Sequence, residues 1–235
     1  MINKKFIYLG LFLIFFITVK IINPPINQKV SLISYDFYQK IFNRGEVENI
    51  TIVDIDEKSL AEIGQFPWRR DVYSKILINL NQYNPAAIAF DIVFSEEDRL
   101  NPQDLVLQLQ KESDQFNNVE VQDTNKIFID SIKKSKVILP IIGEPKENFV
   151  KNNSKPKLRI IAKGDDPNNF IYKYKNKIIS LEELNNAATG IGSISLLPNI
   201  DGIIRRVPVL YNIDNQLWPS LALEAVRIST NQKNL

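Results

Sequence analysis

The chain has 235 residues, and its 29 Lys and Arg against 27 Asp and Glu leave a net charge of +2, which gives no footprint for a nucleic-acid partner. It contains no Cys and no His, which excludes disulfides, thiolate nucleophiles, Cys-type zinc sites, Ser-His-Asp triads and His general bases. With 44% hydrophobic and 24% charged residues it has the composition of a globular protein able to bury a substantial core.

The N-terminus carries Lys4 and Lys5, then an uncharged apolar run of 14 residues over 6–19, or 17 residues if Lys20 is carried through to Ile22. That length is near the lower limit for a membrane-spanning helix, with Lys20 snorkelling to the headgroups. Pro24 and Pro25 stop the helix, and the two leading lysines place the start in the cytoplasm and the rest outside. A cleaved signal peptide and a buried core helix are the alternatives, but no small-x-small cleavage site follows the run.

Residues 29–43 show helical spacing, with Val30, Ile33, Phe37 and Ile41 on one face and Arg44-Gly45-Glu46 ending it. Residues 49–55 (NITIVDI) are β-branched and read as a strand covered on both faces. Ser59 and Glu62 fit the capping box of a short helix ending at Gly64. A helix follows over 70–83 and a second apolar strand over 86–94. Strand, helix and strand form a βαβ unit with parallel strands. Helices are expected over 102–113 and 124–134, and a strand over 136–142 whose Pro140 argues for its end or a sheet edge.

Residues 143–178 form a polar excursion with nine Lys or Arg and four acids, a solvated loop or a patch for anionic lipid headgroups. Within it IYKYKNKII, 171–179, alternates as a hairpin strand does. Ser180 and Glu183 fit a capping box for a helix over 180–189. GIGSISLL and GIIRRVPVLYNI, joined by PNIDG, read as a hairpin turning at Asp201-Gly202, and 219–229 as a final amphipathic helix.

Four blocks stand in order: IVDIDEKSLAEIG with Asp54, Asp56, Ser59 and Gly64, followed by FPWRR with Pro67, Trp68 and Arg70; FDIVFSEED with Asp91 and Phe94; DGIIRRVPVL with Asp201, Arg205 and Arg206; and PSLALEA from Pro219. From about Tyr35 to Arg227 the chain resembles the CHASE type 2 domain, a cyclase/histidine-kinase-associated sensory extracellular domain. It departs from the usual Trp-Pro-Trp-Pro-Arg at Phe66 and Arg69. The resemblance implies an extracytoplasmic sensory module serving a cytoplasmic cyclase or kinase output, with no enzymatic activity of its own. No output motif stands in the sequence, which leaves a separate output subunit, a homodimer or a truncated scaffold as alternatives.

Asp54, Asp56 and Asp91 are expected at the C-terminal ends of two adjacent strands, where ligands of α/β sheets bind. Two readings stand for them. They hold a ligand or a divalent metal, as in an extracytoplasmic metal-dependent enzyme, or they are structural, with Asp56 capping a helix and the others paired with Arg69, Arg70, Arg205 or Arg206. Phe66, Trp68 and Tyr73 either wall a pocket or fill the core. The candidate ligand residues are therefore Asp54, Asp56, Trp68, Arg70, Asp91, Arg205 and Arg206, with no cofactor. The acidic run Glu96-Glu97-Asp98 reads as a solvated loop.

The expected architecture is an anchor over 1–26 and one extracytoplasmic domain over 27–235. That domain is a three-layer α/β sandwich around a single mixed, largely parallel sheet with a C-terminal hairpin. The expected location is the inner membrane, single-pass, with the domain periplasmic or extracellular.

Overall fold

The computed structural model describes residues 4–22, 24–42, 45, 49–113, 115, 118–146 and 153–234. The chain divides into two compact units, Met1–Asp54 and Ile55–Leu235.

The first unit holds helices α1 (Lys4–Ile22) and α2 (Pro24–Ile41). Helix α2 starts five residues before its expected start, because proline at the first helical positions forfeits only N–H groups that have no intrahelical partner. The expected C-terminal boundary, Arg44-Gly45-Glu46, falls partly outside the described residues. The spanning helix is corrected: α1 forms where expected, but among the described residues no helix is long and apolar enough to cross a membrane. The reason lies in the charges. The uncharged 14 residues between Lys5 and Lys20 rise about 21 Å, against about 30 Å of hydrocarbon core.

The strand expected over 49–55 is also corrected. Residues 50–56 are irregular, with Ile50, Ile52 and Val53 mostly exposed. β-propensity reports the fit of a side chain to a packed pleated surface, and without a ladder partner it builds nothing.

In the second unit, α3 (Glu57–Ile63) is capped by Asp56, whose carboxylate accepts from the Ser59 N–H at 2.8 Å. Helix α4 (Arg70–Asn81) leads to β1, only Ile88–Ala89, then α5 (Pro102–Glu112), α6 (Thr124–Lys133) and β2 (Val137–Glu144). Strands β3 (Lys173–Tyr174) and β4 (Asn176–Ile179) precede α7 (Glu182–Ala187) and β5 (Gly190–Ser193). Strands β6 (Leu210–Ile213) and β7 (Gln216–Pro219) lead into α8 (Leu221–Ser229).

Two sheets replace the single expected one. In the larger, β2 pairs in parallel with β1 and β5 and antiparallel with β4. In the smaller, β3, β6 and β7 lie side by side. Pro140 is not at an edge. The Ile138 carbonyl accepts from the Phe90 N–H and the Ile141 carbonyl from the Ile194 N–H, so by alternation Pro140 faces the side occupied by β1 and β4. There β1 has ended opposite Ile138 and β4 begins opposite Ile141, so the missing N–H falls in the gap.

Helices cover both faces of the larger sheet. Val137 and Leu139 pack with Leu77, Phe128, Ile132 and Leu184 of α4, α6 and α7. On the opposite face Ile138 and Pro140 lie beside Gly190 and Gly192, over which α8 passes. A Cβ on Gly192 would stand 2.6 Å from the Leu221 Cα, so glycine is what lets the helix settle there. A second core joins Ile141, Tyr174, Ile191, Tyr211, Ile213 and Trp218.

Three further expectations shift. The hairpin is β6–β7, turning at Asp214-Asn215 with φ of 55° and 57°, a primed turn suited to the twist of the strands. The Asp201-Gly202 turn forms, with Gly202 at φ 78°, but no ladder extends from it among the described residues. Ser180 does not cap α7. Its hydroxyl, wholly buried, accepts from the Phe94 N–H at 3.1 Å. The polar excursion also enters the fold: Lys177 is buried and paired with Asp214 at 3.2 Å, and Lys157 donates to the carbonyls of Asn186 and Ala188 at the C-terminal end of α7.

Candidate functional site

The Phe66-Pro67-Trp68-Arg69-Arg70 segment turns the chain from α3 into α4. Trp68 is pinned by its indole N–H, which donates to the Gly64 carbonyl at 2.7 Å. Arg69 forms a two-bond ion pair with Asp71, at 2.6 and 2.8 Å. That pair draws the Asp71 carboxyl below its ordinary range and raises the Arg69 guanidinium.

Arg69 sits at the cap position of α4 without capping it. The cap comes from afar. Asp98 Oδ2 accepts from the Arg70 N–H at 2.8 Å and from the Thr124 hydroxyl at 2.7 Å, and Oδ1 accepts from the Leu100 N–H at 3.1 Å. Asn101 caps α5 and accepts from the Thr124 N–H at 3.2 Å. The N-termini of α4, α5 and α6 therefore converge on Asp98 and Asn101, and a carboxylate is the group their unpaired N–H donors and dipoles favour. Asp98 is buried, 6% exposed, and the solvated-loop expectation for it is corrected.

Beside this junction lies a cleft of about 230 Å³ walled by Phe66, Trp68, Tyr73 and Phe94 with Arg70 among them. The Arg70 side chain is 7% exposed, with its guanidinium carbon 4.4 Å from the Phe94 ring centroid and Nη2 donating to the Glu96 carbonyl at 2.8 Å. Burial lowers its pKa, opposed by the charge of Asp98. Its Nε and the Tyr73 hydroxyl are buried without hydrogen-bond partners among the described residues. Burial likewise raises the Tyr73 phenol, with a smaller opposing effect from the Trp68 backbone.

The aromatic residues answer to both expectations at once. Trp68 and Tyr73 belong to the core through one set of atoms and wall the cleft through another, while Phe66 stays 46% exposed.

A family model for the CHASE2 domain matches residues 9–235. The chain belongs to the CHASE2 family. This is a family of extracellular sensory domains. No curated protein matches the chain, and no solved structure does.

Of the sequence-predicted residues, this CHASE2 domain brings Trp68 and Arg70 together and disperses the rest. Asp54 is exposed and falls in the first unit, Asp56 is spent on capping α3, and Asp91 is exposed past the end of β1. Among the described residues no group of three or more acids could hold a metal ion. The strand meant to bring Asp54 and Asp56 beside Asp91 does not form. Arg205 pairs with Asp201 through two bonds of 2.8 and 2.9 Å, and its hydrogen bonds hold the Asp201 carboxyl down at about 2. Arg206 is exposed on the same arm. Asp98, Asn101 and Thr124 were not among the predicted residues. Asn101-Pro102, a cap residue before a first-turn proline, was the one local signal for them.

Proposed function

We propose that this chain is a signal-input domain whose ligand enters the cleft between Trp68, Arg70, Tyr73 and Phe94. The observation that supports the reading is the pair of buried, unpartnered polar atoms, Arg70 Nε and Tyr73 Oη, on an aromatic wall. Buried polar groups are nearly always satisfied, and orphans on the wall of a cleft suit a missing partner.

A ligand there acts on more than one side chain. The Arg70 backbone N–H is bonded to Asp98, which also holds Thr124 at the start of α6. A pull on Arg70 is thus delivered to the junction of three helices, and in this proposal their altered packing is the output, read by a cytoplasmic cyclase or kinase.

The test is a thermal-shift screen of the full chain against small molecules of mixed charge, repeated on Trp68→Leu. A bound ligand at about 100 times its Kd adds roughly 2.7 kcal/mol. A shift lost in the variant supports the cleft. A shift retained there puts the site elsewhere.

A further inference from the structure

We propose that the ligand of this cleft is a small carboxylate carried on a single flat apolar ring, an inference that rests on the cleft being the binding site. The first observation concerns charge. Arg70 is a buried cation, yet among the described residues its guanidinium makes no ion pair. Buried Arg is ordinarily paired, and the planar fork of its N–H donors matches a carboxylate with two parallel bonds.

The neighbouring acids do not supply that partner. Asp98 already takes the Arg70 and Leu100 N–H groups and the Thr124 hydroxyl. Glu96 is paired with Arg99 at 2.5 Å, and Glu97 is exposed, 3.4 Å from the Asn125 amide. Arg70 keeps Nε without a partner, beside a Tyr73 hydroxyl in the same condition. One carboxylate in the cleft accepts from both, its first oxygen from the guanidinium edge and its second from the phenol.

The second observation concerns the body of the ligand. Phe66, Trp68 and Phe94 present ring surfaces and Ile92 an aliphatic one. A cavity of about 230 Å³ lies below the roughly 300–1,000 Å³ of drug-sized sites, which leaves room for one ring. Arg70 Nε and Tyr73 Oη are shut off from water, so the carboxylate reaches them by displacing Phe66, the lining aromatic that is nearly half exposed.

Calorimetric titration of the full chain with benzoate and with benzamide, its uncharged isostere, decides the matter. Saturable binding of benzoate alone is expected, weakened roughly tenfold or more in Arg70→Lys, which keeps the charge but loses the fork. Tyr73→Phe keeps the ring that packs against Phe90, Phe94 and Phe128 and serves as the second variant. It should weaken benzoate several-fold while the circular dichroism spectrum stays unchanged. Equal binding of benzamide overturns the carboxylate and leaves the cleft as the site. Benzoate binding that neither variant alters overturns both the ligand class and the site. No binding of benzoate at millimolar concentration overturns the carboxylate proposal, and the mixed-charge screen then judges the cleft separately.

Discussion

Asp98 accepts a 2.8 Å hydrogen bond from the backbone N–H of Arg70, a residue 28 positions earlier in the chain, and so caps a helix it does not belong to. The bond ties the acidic end of the FDIVFSEED block to the start of α4. One carboxylate thereby serves the fold and stands behind the cleft.

Removing that carboxylate should be costly. Asp98→Ala leaves the Arg70 N–H buried without a partner and leaves the Thr124 hydroxyl only its longer bond to Asn101 at 3.2 Å; each charged hydrogen bond is worth about 1.5–3 kcal/mol, so a loss of about 3–5 kcal/mol is expected. Asp98→Asn keeps an acceptor and should cost about half as much. Urea denaturation checks both, and a loss under about 0.5 kcal/mol for Asp98→Ala would show that the junction is dispensable.

The buried pair on α8 makes a sharper test. Arg227 clasps Glu224 through two 2.7 Å bonds, with Glu224 wholly buried. Glu224→Ala strands Arg227 and should cost about 3–5 kcal/mol, whereas Glu224→Met with Arg227→Leu should cost far less. A double variant no more stable than the single one contradicts this.

At Gly192 the expectation is steric. Gly192→Ala places its methyl against the backbone of Leu221, which has no rotamer to change, and a loss of about 2–3 kcal/mol is expected. Gly10→Ala, inside α1 with nothing within 4 Å, is the control and should cause no loss of stability.

Asp201 and Tyr211 each tie stability to pH, at opposite ends of the scale. The Asp201 carboxyl sits at about 2 in the folded chain against 3.8 unfolded, so its contribution is full above 3.8 and vanishes as pH falls through about 2. The Tyr211 phenol, donating to the Ser195 carbonyl at 2.6 Å, is raised by burial to about 12 from 10. Its contribution is full below 10 and vanishes as pH rises through about 12. Carboxyl NMR titration should return Asp201 towards the ordinary range in Arg205→Gln, and ultraviolet titration should find a late tyrosine component that shrinks in Tyr211→Phe.

The helices of the second unit were legible because their signals are local. Asn101-Pro102 opens α5, Asp56 caps α3, and the apolar spacing of Val72, Ile76, Leu77 and Leu80 marks α4. The strands were not, because a strand is completed by its partner. TIVDI and IVF have the composition of buried strands and pair with little or nothing, while QLWP, with a proline in it, forms β7. The site was half legible: Trp68 and Arg70 stand out as large residues in a turn, but Asp98 sits in an acidic run that looks solvated. The tertiary approach of α4 and α6 gives its Oδ2 the Arg70 and Thr124 donors.

Strand β2 touches β1, β4 and β5, and the residue pairs that join it to β5, such as Ile138 with Gly190, lie 52 positions apart. A chain emerging from its N-terminus thus presents one edge of β2, and the face carrying Ile138 and Pro140, well before β5 and α8 exist. Contacts of such sequence separation form slowly, and an uncovered apolar strand seeks other edges meanwhile. The delay is a demand on folding itself: the open edge of β2 must stay single until the last quarter of the chain arrives.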